Sequence, residues 1–164
     1  MVVVVMGVSG CGKTTVGKLI ASRLGIPFYD GDDFHPQCNV DKMECGAPLT
    51  DEDRVPWLSR LAREIAQWDA SSGAVLACSA LKEQYRQRLR GAPGVDVRFV
   101  HLKGSRELIS SRLQQRAGHS MPPALLDSQF EALEVPRNAI VVSIEESPEQ
   151  IANAILRKIQ AGGR

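Results

Sequence analysis

GVSGCGKT, Gly7 to Thr14, decides how the rest of the chain is read. It fits G-x-x-x-x-G-K-[ST], and the residues on either side supply the context that this pattern needs. Before it, Val2 to Met6 (VVVVM) is a continuous apolar run, as expected of a strand buried on both faces of a parallel sheet. After it, Val16, Leu19, Ile20 and Leu24 recur at helical spacings, and Gly25 ends the helix. A strand, a glycine-rich loop and a helix start form a phosphate cradle, because the loop N–H groups and the helix N-terminus face phosphate oxygens. Gly7, Val8, Ser9, Gly10, Cys11, Gly12, Lys13, Thr14 and Thr15 are therefore the expected ATP-binding set. Lys13 is expected to reach the β and γ phosphates, and the Thr14 hydroxyl to ligate Mg²⁺. Cys11 has surroundings that favour thiolate, but a small side chain tolerated at a variable loop position is the plainer reading.

Outward from the loop, short β-branched runs alternate with helical segments. Strands are expected at 27–29, 74–78 (AVLAC), 95–102 (VDVRFVHL) and 139–144. A short helix is expected around 39–44. Thr50, with Asp53 three residues on, caps a helix whose Leu58, Leu61, Ile65 and Trp68 share a face. SALKEQYRQRLR is expected as the next helix, Ser105 caps another to about Ala117, and GHSMPP reads as a loop. Ser147 and Pro148 open the last helix. Strands alternating with helices imply a parallel sheet wrapped on both sides. The expected architecture is one α/β domain over 1–164, in three layers with a five-stranded sheet.

The chain has 164 residues and 43% apolar content, enough for one hydrophobic core. Its 20 basic and 19 acidic side chains lack the excess that nucleic-acid or anionic-membrane binding leaves, so any basic site is local. The apolar opening is too short to span a bilayer. Cys11, Cys38, Cys45 and Cys78 form no CxxC pair, which points to a reduced, cytoplasmic chain.

Strand 74–78 is followed by Ser79 and Ala80, not by the aspartate with which many phosphate-loop ATPases order Mg²⁺. Attention moves to YDGDDFHP, Tyr29 to Pro36, directly after the second strand. If the chain stays extended there, Asp30 and Asp32 share one side and Asp33 takes the other. Phosphoryl transfer to an alcohol needs an acid that positions the hydroxyl and accepts its proton. Asp32 suits that role, and Asp30 suits the metal shell through water. A solvated acidic turn is the bland alternative.

Arg112 and Arg116 are four apart on one expected helix, ahead of a loop with Gly118 and two prolines. Such a segment suits a lid, about 117–125, that brings an arginine to the transferring phosphate. Lys82 and Arg86, also four apart, follow the third strand at the carboxyl end of the sheet, where open α/β folds bind ligands. They, or Arg54, are candidates to hold an anionic acceptor. His35 and His119 lie in loops near the inferred site, and His101, inside a strand, reads as structural.

At this point the chain resembles the gluconate kinases, the P-loop gluconokinase family. The resemblance is carried by GVSGCGKT, YDGDDFHPQCNVDKMECGAPLTDEDRVPWL, ACSALKEQYRQRLR and GHSMPPALLDSQFEALEVP. It implies a nucleoside-monophosphate-kinase-like fold with a small lid, ATP and Mg²⁺ as cofactors, D-gluconate phosphorylated at its 6-hydroxyl, and commonly a homodimer. By similarity to the related shikimate kinases, Asp32 would bind the acceptor hydroxyl, Arg54 and Lys82 the sugar-acid end, Arg112 the adenine side and Arg116 the phosphates. His119 would belong to the lid. Ser120 and Ala132 depart from the pattern, which has Phe after the lid histidine and Thr in SQFETLE. Adenylylsulfate kinase shares GxSGxGK and a similar DGD run, but it does not explain DDFHP or PWL. A non-catalytic nucleotide-binding regulator would not need Lys13, Thr14, Asp32 and Arg116 together.

Overall fold

A computed structural model describes residues 1–115 and 123–162. Five strands, β1 (Val2–Met6), β2 (Phe28–Asp30), β3 (Ala74–Ala77), β4 (Val97–Lys103) and β5 (Ile140–Ser143), form one parallel sheet in the order β2-β3-β1-β4-β5. β1 is central and fully buried, which is why its five residues need no polar alternation. Val3 and Val5 pack with Val16, Ile20 and Ile155 on one face of the sheet. Val2, Val4 and Met6 pack with Trp57, Leu58, Leu61 and Leu76 on the other.

The helices are α1 (Lys13–Leu24), α2 (Gln37–Glu44), α3 (Asp51–Asp69), α4 (Glu83–Arg90), α5 (Arg106–Gln115), α6 (Pro123–Ala132) and α7 (Pro148–Ala161). α1 and α7 supply the first face, and α3 and α4 the second. This is the expected three-layer arrangement. α3 opens with the anticipated capping box: Asp53 N donates to Thr50 Oγ1 at 3.1 Å, and Thr50 N donates to Asp53 Oδ2 at 2.8 Å. Ser147 and Gln150 form the same device on α7.

Three local expectations are corrected. The chain does not stay extended past Asp30, because Gly31–Phe34 coils into one 3₁₀ turn. α4 starts at Glu83 rather than Ser79, since Ala80 adopts φ 45°, in the left-handed region. Helix α6 begins at Pro123, inside the expected lid of about 117–125, and runs on to Ala132 through residues to which the sequence reading gave no element. Arg116, His119, Ser120 and most of the expected lid lie outside the described residues.

β1 lies between β3 and β4, so the chain crosses over in both directions from it. The crevice of such a sheet opens at the strands' carboxyl ends, where the phosphate loop and the Asp30 turn both emerge.

Candidate active site

The phosphate loop leaves β1 and enters α1 through Gly12, whose φ of 97° no side chain adopts comfortably. Lys13 Nζ folds back over the loop and donates to the carbonyls of Gly7 at 3.0 Å and Val8 at 3.1 Å. Cys11 is buried, and burial pushes its thiol upward despite the neighbouring Lys13, so the loop chemistry does not favour a thiolate.

One turn of the chain joins the loop to the acids. Thr14 Oγ1 donates to Asp30 Oδ2 at 3.4 Å, and Asp30 Oδ1 accepts from the Asp32 amide at 3.1 Å. Asp30 thus ties the first turn of α1 to the 3₁₀ turn and caps the latter. A hydroxyl and a carboxylate in contact beside a phosphate loop form a donor set that fits Mg²⁺ held partly through water. Gly31 must be glycine here, since a Cβ would stand 2.9 Å from the Ala77 carbonyl. Its own carbonyl accepts from Trp57 Nε1 at 2.7 Å, so α3 pins the turn from below.

Asp32 and Asp33 are exposed. The Asp32 carboxyl is raised above its ordinary value, first by desolvation and then by the like charge of Asp30, with Lys13 opposing. Its side chain is 83% exposed, so solvent discounts the desolvation and the neighbouring acids are the firmer cause. His35 Nε2 lies 3.9 Å from Asp32 Oδ1. Its ring stacks on Trp57 with centroids 4.2 Å apart. Burial, then the Arg54 charge, lowers His35 to about 4.

Beyond His35 lies a cationic wall. Arg54 donates to the carbonyls of Leu49 and Thr50 and sits over the Tyr85 ring at 5.6 Å. Lys82 Nζ bonds both oxygens of Asp51 at 3.0 Å, and the Tyr85 hydroxyl donates to the same carboxylate. The Tyr85 bond, then Lys82, holds Asp51 below the usual carboxylate range. Asp51 and Tyr85 therefore present Lys82.

Arg86 does not belong with these cations, which corrects its candidacy as a substrate ligand. It is 1% exposed, and its donors go to Glu83 Oε2 (2.8 Å), Ala80 O (2.8 Å), Leu81 O (2.9 Å) and Glu134 O (2.9 Å). It shapes the β3–α4 loop that carries Lys82. The apparent pairing with Lys82 fails because Lys82 is the extended cap of α4 and not a residue within it. His101 is likewise buried, in β4.

Arg112 Nη2 donates to Ile144 O at 2.6 Å, at the carboxyl end of β5. The next residue, Leu113, packs against Gly10, so α5 borders the phosphate loop. Several contributors were not singled out from the sequence: Asn39, Asp51, Trp57, Tyr85 and Gln129. Gln129, on α6, accepts from Ser9 N at 2.7 Å and donates to Ser9 Oγ at 3.0 Å. The DxDR and PWL residues were visible as pattern, yet their contacts arise only when α3 packs under the turn.

The family model for shikimate kinase matches residues 9–160. The gluconokinase of Gluconobacter oxydans is 49% identical, the alignment covering 96% of this chain and 90% of that protein. The thermosensitive gluconokinase of Escherichia coli is 52% identical over 82% of this chain and 72% of that protein. A crystal structure of a gluconokinase from Sinorhizobium meliloti superposes with a TM-score of 0.87 at 38% identity, covering 99% of this chain and 97% of that one. With its phosphate loop, paired acids and parallel sheet, the chain belongs to the gluconokinase family of P-loop phosphotransferases.

Proposed function

We propose that the chain transfers the γ-phosphoryl group of ATP to the 6-hydroxyl of D-gluconate, giving 6-phospho-D-gluconate and ADP. One observation carries this reading: a path of contacts runs from Thr14 at the end of the phosphate loop through Asp30 and Asp32 to His35, which stacks on Trp57 of α3, the helix whose Arg54 shares the Tyr85 ring with Lys82. It has a phosphate end, a carboxylate in the middle and a cationic end, which is the order of groups a sugar acid needs in order to present its far hydroxyl. The relatives named as gluconokinases support the choice of acceptor.

In this reading Asp32 orients the hydroxyl and takes its proton as the new P–O bond forms and the bond to the ADP oxygen breaks. Gly7 to Thr15 cradle the phosphates, and Arg112 flanks the adenine. Arg54 and Lys82 hold the substrate carboxylate, with His35 beside the polyol. Thr14, and Asp30 through water, would hold Mg²⁺, which neutralises phosphate charge when bound. Arg116 serves the transferring phosphate, and His119 serves a lid over about 117–125. The chain works as one domain in the cytoplasm, as a homodimer, with small molecules and neither nucleic acid nor membrane as partners. Among the described residues no helix is long and apolar enough to cross a membrane.

Purified protein with ATP, Mg²⁺ and a panel of gluconate, other sugar acids, shikimate, adenylylsulfate and AMP tests this. Gluconate should give ADP release well above the no-acceptor background. Turnover with another acceptor and none with gluconate would overturn the assignment.

A further inference from the structure

We propose that Asn39 is a positioning residue that holds His35 as a fixed Nε2–H donor, and that this donor reads the hydroxyl next to the one phosphorylated. The inference deepens the kinase reading and rests on it.

Asn39, on α2, is 3% exposed. Its side-chain nitrogen meets two atoms, the carbonyl oxygen of Asp53 at 2.8 Å and His35 Nδ1 at 3.3 Å. A carbonyl only accepts, so the Asn39 group at that point must be the NH₂ and not the amide oxygen. The same NH₂ directs its second hydrogen at His35 Nδ1. That nitrogen must then carry the lone pair, and the proton of the neutral ring lies on Nε2.

Nε2 is the nitrogen that faces Asp32 Oδ1, at 3.9 Å. The gap is too long for a hydrogen bond between them, so the donor is left for a ligand oxygen. Stacking on Trp57, at an interplanar angle of 15°, fixes the ring plane. The side chain is 5% exposed, which leaves little room for a ring flip. Trp57 also bonds Gly31 O, so donor and Asp32 are built on one support.

A donor placed on the attacking oxygen itself would draw on the lone pair that forms the P–O bond. The neighbouring hydroxyl carries no such conflict. His35 is therefore assigned to that hydroxyl, and the site is expected to select a vicinal diol beside Asp32.

The test joins spectroscopy to kinetics. In ¹⁵N-labelled wild-type protein, His35 should show the Nε2–H tautomer, and Asn39→Asp should shift it to Nδ1–H, because a carboxylate there accepts. His35→Gln, whose amide N–H can stand near the Nε2 position, should keep the gluconate KM within ~3-fold. His35→Asn and Asn39→Asp should raise it ~10-fold, the scale of a lost hydrogen bond, with a smaller change in kcat. With 5-deoxygluconate the His35 variants should match wild type. An Nδ1–H tautomer in the wild type overturns the proposal, as do equal KM values for His35→Gln and His35→Asn. If wild type fails to turn over gluconate, the kinase reading falls, while the tautomer spectrum still judges the Asn39 assignment.

Discussion

Replacing Arg86 by methionine separates a structural arginine from a substrate-binding one. The thioether fills most of the aliphatic volume, so the loss is chiefly of hydrogen bonds. Four acceptors are served by the guanidinium, but they are not equally exposed to its removal. Glu83 keeps its bond from Arg90 and is 39% exposed. Leu81 O keeps the bond it receives from Glu134 N at 2.9 Å. Ala80 O and Glu134 O lose a charged donor outright. At about 1.5 kcal/mol each, the substitution should cost about 3 kcal/mol. For a chain of this length that is a fall in Tm of about 6–12 °C. The assay is thermal unfolding with and without gluconate, and the Tm without ligand is the deciding quantity. A Tm within ~2 °C of wild type, together with loss of the gluconate-induced shift, would refute the reasoning and return Arg86 to the substrate.

Asp32→Asn should leave ATP binding nearly intact and lower kcat at least ~100-fold, the scale of a positioned base, and a near-normal kcat would remove Asp32 from that role. Lys82→Met should raise the gluconate KM ~10-fold or more with little change in the KM for ATP, read by steady-state kinetics. His35 sits at about 4 when folded against an ordinary 6.5, so the unfolded chain binds more protons between those values. The resulting stability is present above pH 6.5 and lost as pH falls through 4. Discounted for solvent at the ring edge, it is about 1–2 kcal/mol. Wild type should therefore lose more stability than His35→Gln on acidification from pH 7 to 4.5, and parallel denaturation curves would contradict this.

The sheet was legible because each strand carries its own signal. VVVVM and AVLA are uniformly apolar for the simple reason that both faces are covered. The phosphate loop and the Thr50 cap were equally local, each readable from spacing alone. What escaped depends on contacts between distant segments. No pattern marks Ala80 as left-handed, and that single residue delays α4 and breaks the expected helical pairing of Lys82 with Arg86. Asp30 and Asp32 were placed side by side on the assumption of an extended chain. The 3₁₀ turn instead folds the Asp32 amide back onto the Asp30 carboxylate, whose other oxygen stays on Thr14. Asn39 looks like any polar helix residue until α3 supplies the Asp53 carbonyl that orients it.

The stretch after Pro123 touches both halves of the crevice. Gln129 holds Ser9 in the phosphate loop, while Glu134 bonds Leu81 in the loop that carries Lys82 and Glu83 and Arg86 at the start of α4. Only four residues of chain lie between these two anchor points. A shift of α6 reaches Ser9 through Gln129 and the β3–α4 segment through Glu134, a path that bypasses the acids between them. Linkage then works in both directions: if saturating nucleotide tightens the acceptor by some factor, saturating acceptor tightens the nucleotide by the same factor. Where that factor differs from one, each affinity has a value only at a stated concentration of the other substrate.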